Sequence, residues 1–201
     1  GDDLQELRAT FELGEFREGE GSHVEVGGFE DHYIRTIVEN AGKPARSIRI
    51  VVDCGNAVPG PLAVRVMDAL GIDMIPLYCE WDSSFPNHPP DPTRSDNMAD
   101  LATAVVEHGA EFGIGMDGDG DRIGVVDEAG RFIHPDRLMA IFASDILSNL
   151  PEDATEDERT VYFDVKCSMA LEEAIEASGG VPRMVRTGHS FMKRELRDNP
   201  Q

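Results

Sequence analysis

Lysine is nearly missing from this chain. Of its 18 basic residues only Lys43, Lys166 and Lys193 are lysine, and they face 39 acidic residues, for a formal charge of -21 over 201 residues. Such a surplus excludes a nucleic-acid partner, because phosphate backbones are held by basic surfaces. It suits a high-salt cytoplasm, where screening removes the self-repulsion of like charges. Cysteine is scarce as well. Cys54, Cys79 and Cys167 are odd in number and far apart in sequence, which gives neither a disulfide framework nor a metal-ligand pair and points to reduced core thiols. No apolar run is long enough to cross a bilayer and no signal peptide is present, so a cytoplasmic protein with no membrane partner is expected. The chain opens on Gly1 rather than Met and stops at Asn199-Pro200-Gln201 straight after a helical pattern, which reads as a fragment.

Against these absences one stretch stands out, Gly115-Met116-Asp117-Gly118-Asp119-Gly120-Asp121-Arg122, followed by the apolar run Ile123 to Val126. Three carboxylates in five residues repel one another unless a hard divalent cation sits between them, and an all-oxygen donor set favours magnesium, calcium or manganese over zinc. The intervening glycines let the backbone bend so that alternate carboxylates converge. Arg122 adds a planar, permanently charged donor beside the metal, an arrangement suited to gripping phosphate. An EF-hand fits the aspartate spacing, and Glu128 falls at its twelfth position, but the glycine it needs at the sixth is Arg122 and the flanks read as strands.

The rest of the chain alternates strand and helix patterns, which predicts an α/β protein with mixed, mostly parallel sheets. Two amphipathic segments, Leu4 to Leu13 and Phe29 to Val38, are joined by a glycine- and glutamate-rich loop. Ile48 to Val52 reads as a strand, Pro59 to Leu70 as a helix, and Asp73 to Leu77 as the next strand, with Asp53 and Asn56 expected to cap the helix and fix the turn. The glycines of that turn lack nucleotide-cradle spacing. Glu80 to Pro92 is a proline-stiffened loop carrying Asn87 and His88. A helix over Asn97 to His108 precedes the strand that delivers the aspartate loop, and Ile123 to Ile133 reads as a hairpin, an antiparallel edge on a parallel sheet. Pro135 opens a helix with Leu138, Ile141, Phe142 and Ile146 on its buried face. Strand, helix, strand, helix then repeat from Val161 to Arg197. Lys166 and His189 each follow a strand of this second set, His189 at a helix N-terminus where an anion could sit. The expected division is 1–45 as a linker and the end of a preceding domain, 46–134 as a metal-binding domain, and 135–201 as part of another.

Asp117-Gly118-Asp119-Gly120-Asp121-Arg122 resembles the metal loop of the alpha-D-phosphohexomutases, the phosphomannomutase/phosphoglucomutase superfamily. Val51-Val52-Asp53-Cys54-Gly55-Asn56, Phe85-Pro86-Asn87-His88-Pro89-Pro90-Asp91-Pro92, Phe163-Asp164-Val165-Lys166-Cys167 and Thr187-Gly188-His189-Ser190-Phe191-Met192-Lys193 are similar to family segments in the same order. One departure is Ala57-Val58-Pro59-Gly60, where many members carry an earlier second glycine.

The resemblance implies repeated phosphohexomutase-type α/β domains, here the second and part of the third. The implied enzyme interconverts hexose 6-phosphate and hexose 1-phosphate through a phosphoserine and a bisphosphorylated intermediate. On the same ground Asp117, Asp119 and Asp121 hold Mg2+, and Arg122, Lys166 and His189 contact phosphate or sugar. Asn87 and His88 border the active-site side. The chain has no Thr-Ala-Ser-His-Asn-Pro-like stretch for the phosphoserine, no sugar loop and no C-terminal phosphate loop, so by itself it is expected to be inactive. Rival readings are a phosphoglucosamine mutase of the same superfamily, a metal-dependent phosphatase with Asp117 as nucleophile, and a noncatalytic calcium-binding module.

Overall fold

A computed structural model describes residues 2–14, 16 and 18–198. Gly1 and Asn199-Pro200-Gln201, which carry the sequence signals of a fragment, lie outside them. The chain separates into two compact units, Gly1–Tyr33 and Ile34–Gln201. In the first, α1 (Asp2–Leu13) takes the place of the first amphipathic pattern, and an irregular stretch leads to α2 (Phe29–Ala41), which continues into the second unit.

The second unit is built from β1 (Arg49–Asp53), α3 (Gly60–Leu70), β2 (Asp73–Leu77), a 3-10 turn at Ser95–Met98 running into α4 (Ala99–His108), then β3 (Phe112–Met116), β4 (Ile123–Asp127) and β5 (Phe132–Ile133). The strands stand in the order β2-β1-β3-β4-β5. β1 is parallel to β2 and β3, whereas β4 and β5 are antiparallel additions. The period-2 alternation of β1 decides which helix covers which face. Ile50, Val52 and Cys54 pack with Ala63 of α3, while Val51 packs with Leu101 and Val105 of α4. Helices on both faces leave the sheet interior dry: Val51, Val52, Leu101, Val105 and Val126 are all fully buried. No helix among the described residues is long and apolar enough to cross a membrane.

A second, two-stranded parallel sheet follows, with α5 (Pro135–Ser148), β6 (Thr160–Asp164), α6 (Met169–Ala177), β7 (Val181–Val185) and α7 (His189–Asp198). Its core is Ala143, Leu147, Phe163, Leu171 and Ile175. The buried face of α5 is not the one that the sequence pattern selects. Ile141, Phe142 and Ile146 are 57%, 51% and 62% exposed, and Ala143 and Leu147 turn inward instead. α5 is apolar around more than one stripe, so period alone does not choose between them. The α5–α6 contact uses the stripe with small residues, where Ser178 donates to Ser144 at 2.9 Å.

Candidate metal centre and its surroundings

β3 ends at Met116, and the next carboxylate, Asp117, is 1% exposed. Its loop closes on itself. The Asp117 amide donates to the Arg122 carbonyl at 3.2 Å, and the Gly120 amide to the Asp117 carbonyl at 3.1 Å. Gly120 has φ of 77°, a left-handed conformation that glycine takes without steric cost. The Arg122 amide then donates to Asp117 Oδ1 at 2.9 Å, and Arg122 Nε to Asp117 Oδ2 at 2.7 Å. Burial pushes the Asp117 carboxyl upward as the largest single influence, but the two hydrogen bonds and the charge from Arg122, with help from Asp119, outweigh it and hold the group below the ordinary carboxylate value.

Asp119 and Asp121 are exposed, yet one oxygen of each lies within 4.8 Å of the others and of an Asp117 oxygen. Oxygens that close surround a cation with ligand distances of about 2.0–2.6 Å. Among the described residues this is the only group of three or more His, Cys, Asp or Glu side chains so converged. The donor set is all carboxylate, which fits a hard divalent cation. Arg122 is the built-in counter-charge, also 3.6 Å from Asp121.

The structure thus brings Asp117, Asp119, Asp121 and Arg122 together. Lys166 and His189 belong to the second sheet. Lys166 follows β6, with Nζ 3.6 Å from Asp164, and lines an open cleft of about 740 Å³ shared with His134, Arg137, Tyr162 and Met192. His189 is exposed at the start of α7 and is not among the residues lining that cleft.

Three arrangements escape the sequence. Asp53 and Asn56 fix the β1 turn, but neither caps α3, whose N-cap is Pro59 with no side-chain bond. Gly113, Gly115 and Gly118 do follow dinucleotide spacing, yet they run along β3 into a hairpin instead of a helix. The first two make room for Leu101 and Met98, so their reason is close packing. Cys54 and Cys79, 25 residues apart, come together with sulfurs at 3.6 Å, both buried. A thiol-labelling time course should therefore show Cys167, which is partly exposed, reacting at least about tenfold faster than the other two, whose burial withholds them from the reagent. Equal rates for all three would contradict this packing.

The sequence profile for phosphoglucomutase/phosphomannomutase alpha/beta/alpha domain II matches residues 31–130, and that for domain III matches residues 134–200. The chain belongs to the phosphoglucomutase/phosphomannomutase family. Among curated relatives, a phosphomannomutase/phosphoglucomutase of Pseudomonas putida is 44% identical over 83% of this chain and 35% of its own length. One from Pseudomonas aeruginosa is 41% identical over 97% of this chain and 40% of its own. A crystal structure of a phosphoglucomutase/phosphomannomutase family protein from Burkholderia thailandensis superimposes with a TM-score of 0.86 at 39% identity, covering 99% of this chain and 42% of that one. The chain therefore spans roughly two fifths of the length of these family members.

Proposed function

We propose that this chain supplies the metal-binding domain, and part of the next, of a phosphohexomutase that interconverts hexose 6-phosphate and hexose 1-phosphate. In this reading residues 46–134 form the family's second domain and 135–201 part of its third. The observation that carries it is the convergence of three carboxylate oxygens within 4.8 Å at the end of β3, beside Arg122. Asp117, Asp119 and Asp121 hold Mg2+, which when bound neutralises charge on a phosphoryl group in transfer.

The protein's own side chains do the rest. Asp117 is fixed before metal arrives by the Arg122 backbone amide on its Oδ1, so binding costs little reorganisation. Arg122, with its side chain 59% exposed, is placed to give a forked donor to phosphate. Lys166, on the cleft of the second sheet, and His189, at the head of α7, orient the sugar phosphate. The phosphoserine that donates and recovers the phosphoryl group is assigned to the longer protein, and this stretch alone does not turn over.

Calorimetric titration of the chain with Mg2+, alongside Asp119→Asn, tests the reading. Binding to the parent and at least about tenfold weaker binding to Asp119→Asn are expected, since loss of a ligand should cost no less than loss of a group supporting one. Equal affinity in both would remove Asp119 from the ligand set. A stable phosphoryl group trapped on Asp117 would favour the phosphatase, and preference for calcium over magnesium a noncatalytic module.

A further inference from the structure

Behind the aspartate loop lies a second pair of charged groups. Asp53, the last residue of β1, is 2% exposed. Its Oδ1 accepts the Gly55 amide at 2.8 Å, and its Oδ2 lies 3.0 Å from Nε2 of His88, whose side chain is 15% exposed. The other ring nitrogen, Nδ1, is 3.0 Å from the Pro89 carbonyl oxygen. A carbonyl only accepts, so Nδ1 carries a proton. A further proton must lie between Nε2 and Oδ2, since two bare lone pairs would repel. The pair is therefore neutral as a unit, whichever partner holds that proton.

The electrostatics agree with this proton count. Burial raises Asp53, only partly offset by Gly55 and His88. Burial lowers His88, but the Pro89 carbonyl, the Asp53 charge and the Asp53 hydrogen bond outweigh it and leave the imidazole above its ordinary value of 6.5. The groups facing the ring are few. Tyr78 stands edge-on with centroids at 5.6 Å and donates its hydroxyl to Asp100 at 2.9 Å, and Asp100 adds further negative charge. Asp91 lines the same small recess under Gly115 and Met116.

His88 also begins a segment that leans on the aspartate loop at one point and on each of its two flanking strands at another. Pro90 stands 3.8 Å from where a Cβ on Gly118 would be, Pro92 Cβ stands 3.5 Å from that of Gly115, and the Pro92 carbonyl stands 2.7 Å from that of Gly124. These touch the strand before the loop, the loop itself and the strand after it. Pro90 is also 3.1 Å from the Cβ position of Gly55, beside Asp53. Asp91, between the two prolines, interacts with the charge of Arg122.

We infer that His88 and Asp53 are positioning residues: a buried, proton-sharing clamp that sets the 88–92 segment against the Asp117–Asp121 loop, so that divalent-cation affinity depends on the clamp keeping its proton. The inference rests on the aspartate loop being the metal site. When His88 loses its second proton, one ring nitrogen faces an acceptor with nothing to donate, and the segment loosens. Because the folded state holds this proton more tightly than the unfolded chain, the contribution is full below pH 6.5 and is lost as pH rises through the folded value.

The experiment is Mg2+ calorimetry on the whole chain between pH 6 and 8.5, on the parent and on His88→Gln, with nitrogen-detected NMR of the imidazole in the parent. The parent is expected to lose several-fold in affinity across that range, while His88→Gln is weaker at pH 6 by about 10–100-fold, as losing a ligand-supporting group costs, and has a flat profile. The NMR signature expected is an Nδ1 proton retained at pH 7. The parent pH profile stands even where the variant folds poorly. Magnesium binding by the parent with a flat profile, and equal affinity in His88→Gln, would overturn the clamp while leaving the metal site intact. No magnesium binding by the parent at any pH would remove the metal site, and the clamp with it.

Discussion

Asp117→Asn is expected to lose at least about 100-fold in Mg2+ affinity while the protein stays folded. Removing even a group that merely supports a ligand costs ~10–100-fold, and Asp117 is the proposed ligand that the fold holds in place. Of the three carboxylates it alone is buried. Asparagine keeps an oxygen to accept the Arg122 amide, so the loop closure survives. It also gives up the charge-assisted bond from Arg122 Nε and turns a buried amide donor toward it, so the thermal midpoint should fall. Arg122→Ala should do the opposite to binding. It takes a positive charge away from the cation's seat and leaves the backbone bond to Asp117 in place, so affinity should tighten a few-fold in dilute buffer, and less at high salt. Calorimetry in low and molar salt reads both. Undiminished binding in Asp117→Asn would mean that the ion, if any, sits elsewhere.

The largest effect on stability should come from Leu101→Ala, at about 3 kcal/mol, the usual cost of emptying a packed leucine site. Leu101, on the inner face of α4, is 0% exposed and packs against Val51 of β1 and Gly113 of β3. Its Cδ1 stands 2.7 Å from where a Cβ on Gly113 would be. Gly113→Ala alone should therefore cost about 1–3 kcal/mol through overpacking. In the double variant the new methyl enters space that the leucine has vacated, so the two costs should fall short of their sum by more than about 0.5 kcal/mol. The relief is partial, because Val105 Cγ2 also stands 2.7 Å from that position. Urea unfolding of the four proteins gives the cycle. Simple additivity would show that Gly113 and Leu101 share no space.

Local patterns were enough wherever one neighbour along the chain settles the outcome. Asp73 to Leu77, Val181 to Val185 and the Ile123–Ile133 hairpin stand where short apolar runs between turn and helix signals predict strands. The aspartate loop was legible for the same reason: its three carboxylates and Arg122 lie within six residues, and charge repulsion with glycine freedom leaves few ways to arrange them.

Where the partner comes from far along the chain, periodicity has nothing to say. α5 offered two apolar stripes, and only the approach of α6 selected Ala143 and Leu147 over Ile141 and Ile146. Asp53 and His88 are 35 residues apart, and each alone reads as a turn former and a loop histidine. Cys54 and Cys79 read as separate core thiols until β1 and β2 pair. By itself, then, the sequence determined the α/β class, the strand and helix order, the family and the acidic loop, because those are written in the chemistry of near neighbours. The tertiary structure alone decided the Asp53–His88 contact, the packing of the 88–92 segment on the loop and the buried face of α5. Each of those is a contact between surfaces that only chain folding brings within range.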